Sequence, residues 1–192
     1  MEWDLYGGYN YKLNDDITLG AGVLYYYYPG ANFQKSTAGS PNKTFNTFEG
    51  NLSASWKWVS FKLSYSFTDY FGLGKETGFK DDTKGTIYPE LNINYPLPVE
   101  GLTLVGHIGY TALKEDLDPV LYPTGFNGES DGSYMDWKLG VSYAMKDGWT
   151  VGAYYVDADN KDFYKQTVSF TNPNDHKDLA RSTVYVTVGR TF

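Results

Sequence analysis

His107 and His176 are the only histidines, and the chain contains no cysteine. Without a thiol, disulfides, thiolate metal sites and thiol nucleophiles are excluded together. Two histidines so far apart give no local spacing for a metal cluster or a Ser-His-Asp relay. Ser64 or Ser66 with His107 is the combination open to lipid-cleaving chemistry, but no Gly-x-Ser-x-Gly string accompanies it. Gly106-His107-Ile108-Gly109 lies in strand-like sequence with no helix after it, so it is not a phosphate cradle. Asp116, Asp118, Glu129, Asp131, Asp157, Asp159 and Asp162 are oxygen donors of the kind calcium takes. They lack the twelve-residue EF-type spacing and read as solvated loop residues. The expectation is a protein that is not an enzyme, with no catalytic residue, no metal and no cofactor.

A second set of polar residues is more informative, because it alternates with apolar ones. Trp3, Leu5, Gly7, Tyr9 and Tyr11 fall on one face of a period-two segment, with Glu2, Asp4, Tyr6, Gly8, Asn10 and Lys12 on the other. Phe48, Leu52, Ala54, Trp56 and Trp58 oppose Glu49, Asn51, Ser53, Ser55 and Lys57, and Phe61, Leu63, Tyr65 and Phe67 oppose Ser60, Lys62, Ser64 and Ser66. Strict alternation identifies strands, since successive side chains of a strand point to opposite faces. Extended along the chain, it predicts nine strands, near 2–12, 17–28, 46–58, 60–71, 86–96, 101–112, 134–145, 149–157 and 181–192. Each has about the 9–11 residues that cross a bilayer when tilted. The wet face then carries Glu49, Lys57, Lys62, Glu90, His107, Asp136 and Lys138, the candidate pore-lining residues. A basic residue on a lipid face costs about 2–4 kcal/mol at mid-depth, so these charges fix which face meets water. Their mixed signs do not make the single-sign ring of a strongly ion-selective pore.

The connections alternate in length. Tight links fall at residues 14–16, 58–60, 96–101 and 146–148, and long polar loops at 29–45, 72–85, 113–133 and 158–180. Short turns on one rim and long loops on the other are the outer-membrane pattern. Aromatic residues gather at strand ends (Trp3, Tyr25 to Tyr28, Trp56, Trp58, Tyr70, Phe71, Tyr95, Trp149, Phe192), as in the two girdles of a membrane barrel. A mean hydropathy of −0.47 is compatible with this, because only every second strand residue meets lipid. No stretch approaches the roughly 18 apolar residues of a spanning helix. A net charge of −7 argues against nucleic acid as a partner.

The 192 residues predict a single domain, an all-β, antiparallel, up-and-down transmembrane β-barrel. With tight turns inside, the first strand starts outside and the last ends inside at Phe192. Nine strands then imply an odd number of further strands upstream, for a barrel of roughly twelve in all, together with an export signal ahead of this stretch.

The strings WDLYGGYNYKL (3–13), GVLYYYYPG (22–30) and YSFTDYFG (65–72), with the hairpin through NYPLP (94–98), resemble the TorF-type porins of Gram-negative bacteria. The resemblance runs over most of the chain and implies an outer-membrane, pore-like barrel with no assigned substrate. It also implies barrel-assembly machinery as a partner, engaging a last strand in which Val184, Val186, Val188 and Phe192 alternate; Arg190 departs from the expected apolar residue or tyrosine. The function expected is passive diffusion of small polar solutes or ions across the outer membrane, with the lipid bilayer and those solutes as partners. Two alternatives stand beside it: a structural or adhesive barrel with a blocked lumen, acting through its long loops, and a soluble lipocalin-like barrel with the apolar face inside.

Overall fold

A computed structural model of the protein describes residues 1–36, 41–165, 167–168 and 176–191. Nine strands form one antiparallel sheet: β1 (Trp3–Lys12), β2 (Ile17–Tyr27), β3 (Thr47–Trp56), β4 (Val59–Ser66), β5 (Ile87–Pro96), β6 (Leu102–Thr111), β7 (Tyr134–Ala144), β8 (Trp149–Ala158) and β11 (Thr183–Arg190). Each is hydrogen-bonded to its neighbour in sequence order, and β11 pairs with β8. The intervening β9 (Thr167–Val168) and β10 (His176–Lys177) make a separate two-stranded ribbon. A one-turn helix, Phe33–Ser36, sits in the first long loop.

Local chemistry sets the tight turns. Asn14 Oδ1 accepts from the backbone N–H groups of Asp16 and Ile17 at 2.9 and 2.8 Å, an Asx turn that reverses the chain between β1 and β2. The β3–β4 hairpin has only Lys57 and Trp58 between its strands, with Lys57 at φ 51°. Gly148 closes the β7–β8 turn at φ 83°, a conformation that costs glycine nothing.

The register separates the two faces of the sheet. Lys62, Glu90, Gly109 and Asp136 are successive cross-strand partners, and Asn92, His107 and Lys138 form the next row on the same face. The opposite face carries Leu19, Leu52, Leu63, Leu91, Ile108 and Leu139. Among the described strand residues the only charges on that apolar face are Asp157 and Arg190, both at strand ends. The apolar face is the open one: Leu52 is 65% exposed, Leu139 59% and Val186 65%. From β2 to β8 most of the polar face is covered, with Thr47 at 0% and Ser66 at 1%; on the edge strands β1 and β11 both faces are exposed, Tyr6 of the polar face at 83%.

The sheet is curled around its polar face. Phe71, in the loop after β4, lies 5.1 Å ring to ring from Tyr26 on β2 and 4.7 Å from Tyr70. Tyr70 packs against the loop core, which includes Leu113 two residues past the end of β6. In a flat sheet, strands four places apart would be about 19 Å from each other. Two adjacent residues reach both only because the polar face bends round them.

The sheet is not closed among the described residues: β1 pairs with β2 alone and β11 with β8 alone. Both edge strands run from the long-loop rim to the tight-turn rim, since β1 leads into the turn at Asn14 and β11 follows the last long loop. Joining them directly would put one parallel pair into an antiparallel sheet.

The predicted strand 60–71 also stops early, at Ser66. Ser66 Oγ donates to the Thr68 carbonyl at 2.9 Å, and the backbone then turns inward, so Tyr70 and Phe71 leave the expected outer aromatic belt for the interior. Phe192 lies outside the described residues.

Candidate functional site

Of the seven expected lining residues, Glu49, Lys62, Glu90, His107, Asp136 and Lys138 share the covered polar face, on β3 to β7. Lys57 is instead in the β3–β4 turn, with its ammonium 5.4 Å from the Trp56 ring centre and 3.8 Å from Asp16.

Four side chains meet at the centre of this face. His107 Nε2 is 3.0 Å from Asp136 Oδ1 and 3.0 Å from the Tyr88 hydroxyl, and Nδ1 is 2.7 Å from Asn92 Oδ1. Tyr88 donates to Asp136 Oδ2 at 2.9 Å. With oxygen partners at both ring nitrogens, the imidazole is held in one orientation and both carboxylate oxygens of Asp136 are occupied. Beside it, Lys62 Nζ pairs with Glu90 Oε1 at 2.9 Å. Lys138 makes no ion pair among the described residues; its ammonium lies 5.8 Å from the Tyr154 ring centre. A cleft of about 390 Å³ opens next to His107, Asp136 and Lys138 and extends to Arg181 and Tyr185.

Chemically, this is a hydrogen-bonded cluster beside one ion pair, with Glu49 and Lys138 outside the ion pairs among the described residues. Among the described residues His107 is bonded to no serine hydroxyl, and the Ser66 hydroxyl is committed to the Thr68 carbonyl. Among the described residues no three His, Asp or Glu side chains are grouped as a metal site would need. Five of the seven acids are engaged structurally: Asp116 pairs with Lys80 at 2.7 Å, Asp157 with Lys161 at 3.0 Å, and Asp118, Asp131 and Asp159 accept backbone N–H bonds. Tyr88 and Asn92 escaped the sequence reading, although both stand two residues from Glu90 and so share its face.

The long-loop rim is a built structure. Among the described residues the buried hydrophobic core is Phe79, Leu113, Leu117 and Phe163, all outside the strands, with Tyr70, Leu73, Tyr122 and Tyr164 against it. Phe79 and Leu117 bridge as a short β pair, the Tyr164 hydroxyl donates to the Gly132 carbonyl at 2.5 Å, and Lys43 ties the first loop to Asp69 of the second at 2.6 Å. Burial raises the Tyr70 phenol above its ordinary value, with Tyr134 and Glu49 adding to the effect.

At the outer edges of the apolar face aromatic rings meet in two bands. Trp3 and Tyr27 are 6.3 Å apart at the long-loop rim, and Trp56, Trp58 and Tyr95 are linked at 5.8 and 5.2 Å at the tight-turn rim. Arg190, the departure in the last strand, stacks its guanidinium 5.2 Å from the Trp149 ring centre.

These features define a class: a curled, nine-stranded antiparallel sheet with its apolar face open and its polar face largely covered from β2 to β8. The chain belongs to the family described as bacterial protein of unknown function (Gcw_chp), whose model matches residues 1–192. No curated protein matches it.

Proposed function

We propose that the chain forms the wall of an outer-membrane β-barrel through which small polar solutes or ions diffuse passively. The observation that carries this reading is the inverted burial from β2 to β8: the apolar face is open while most of the polar face, with the Lys62–Glu90 ion pair, is covered. Burying a large aliphatic side chain is worth about 1.5–3 kcal/mol, so a face of exposed Leu, Val and Phe calls for an apolar solvent. Lipid supplies that solvent, and the aromatic bands at both rims sit where membrane interfaces favour Trp and Tyr. A lipocalin-like barrel needs the opposite arrangement, with the apolar face turned inward. The TorF-type likeness of the Tyr- and Gly-rich strings supports the same reading.

The test is single-channel recording in a planar bilayer of protein refolded from detergent. Discrete, reproducible conductance steps are expected. Silence from protein shown to be folded and inserted contradicts diffusion and favours the second reading, a barrel that acts through its loops. The hydrophobic core under those loops is the observation on that side.

A further inference from the structure

We infer that the turn Tyr70-Phe71-Gly72 is a fixed constriction across the lumen and sets the size limit of the solutes admitted, an inference that rests on the pore reading. Three observations converge on it.

The first is position. Phe71 packs on the inner-face ring of Tyr26 at 5.1 Å and on Tyr28 at 6.3 Å, while Tyr70 packs against the loop core, which includes Leu113 two residues past the end of β6. The turn therefore reaches from the inner face of β2 to the core at the end of β6.

The second is strain. Phe71 has φ 48° and Gly72 φ 73°, two consecutive left-handed residues. A non-glycine residue in that region is strained and persists only where its surroundings enforce it.

The third is the enforcement. The Phe71 N–H donates to Thr47 Oγ1 at 2.8 Å and the Tyr70 N–H to Thr83 Oγ1 at 2.9 Å, and both threonines are fully buried. Thr83 in turn donates to the Leu73 carbonyl at 2.5 Å. Any Cβ at position 72 would strike the Thr44 carbonyl, so the glycine is required there. A mobile surface loop has no use for two buried hydroxyls holding a strained aromatic; a rigid narrowing does.

The experiment is liposome swelling driven by mono-, di- and trisaccharides, with wild-type protein, Phe71→Gly and Tyr70→Ala. Phe71→Gly removes the ring while suiting the positive φ, so the turn keeps its path. Insertion is checked by heat-modifiable migration on gels. Wild-type permeation is expected to fall steeply with sugar size, and both variants to admit the trisaccharide several-fold faster with little change for the monosaccharide. A blocked wild type opened by either variant also supports the constriction. An unchanged size dependence in both variants overturns it and leaves the pore standing. No swelling from any inserted form removes the pore reading and the constriction with it.

Discussion

The Tyr88 ring lies across Gly109, and its hydroxyl donates to Asp136 Oδ2 one strand further on, at 2.9 Å. A Cβ at position 109 would collide with that hydroxyl, so the glycine makes room for a bond that skips a strand. Gly109→Val is therefore expected to displace Tyr88, release one side of His107, and destabilise the sheet by about 1–3 kcal/mol, the usual cost of overpacking. Urea titration of the refolded protein in detergent checks this; an unchanged midpoint would show that Tyr88 has another place to go.

Lys138 and Leu139 are adjacent and face opposite ways. Leu139→Arg should cost about 2–4 kcal/mol in lipid vesicles, the range for a basic residue at mid-depth on a lipid face. Lys138→Gln should cost far less. Unfolding titrations from vesicles compare the two, and equal losses would mean that the faces are not in different solvents.

Glu90 has a side chain only 14% exposed and takes its countercharge from Lys62. Lys62→Gln is expected to move the reversal potential in a salt gradient toward cation preference, Glu90→Gln toward anion preference, and the double variant back near wild type. Three unshifted values would place the pair away from the ion path.

The hydrogen bond to Asp69 holds the Lys43 ammonium above its ordinary value, an effect that outweighs its partial burial. A raised folded value adds stability that is fully present below the ordinary lysine value of about 10.4 and is lost as pH rises through the folded value. The tie between the first two long loops should thus persist through neutral and mildly alkaline pH and loosen only above it. Asp69→Asn should loosen it already at neutral pH. Proteolytic nicking of the first loop, followed against pH, reads both.

The strands, their order and their faces were legible because period-two alternation is written into nearly every segment, and the apolar set from Leu5 to Val188 leaves one register per strand. The rim was not. Phe79, Leu113, Leu117 and Phe163 are isolated apolar residues in polar loops, with no period to mark them, and their contacts join segments up to eighty-four residues apart. Tyr70 and Phe71 continued the alternation of β4 and so read as strand; buried Thr47 and Thr83, distant in sequence, turn them inward. His107 and Asp136 could be placed on the wet face, but their meeting through Tyr88 required the gap at Gly109.

The central claim is that one face of this sheet meets lipid and the other water. The chain has no cysteine, so single-cysteine variants at Asn51, Leu52, Ser53, Ala54 and Ser55 of β3 carry one label each. In proteoliposomes, labels at 51, 53 and 55 are predicted to be reached by an aqueous collision reagent, and those at 52 and 54 by a lipid-soluble one, alternating residue by residue. Equal access of the aqueous reagent to all five positions would contradict the account.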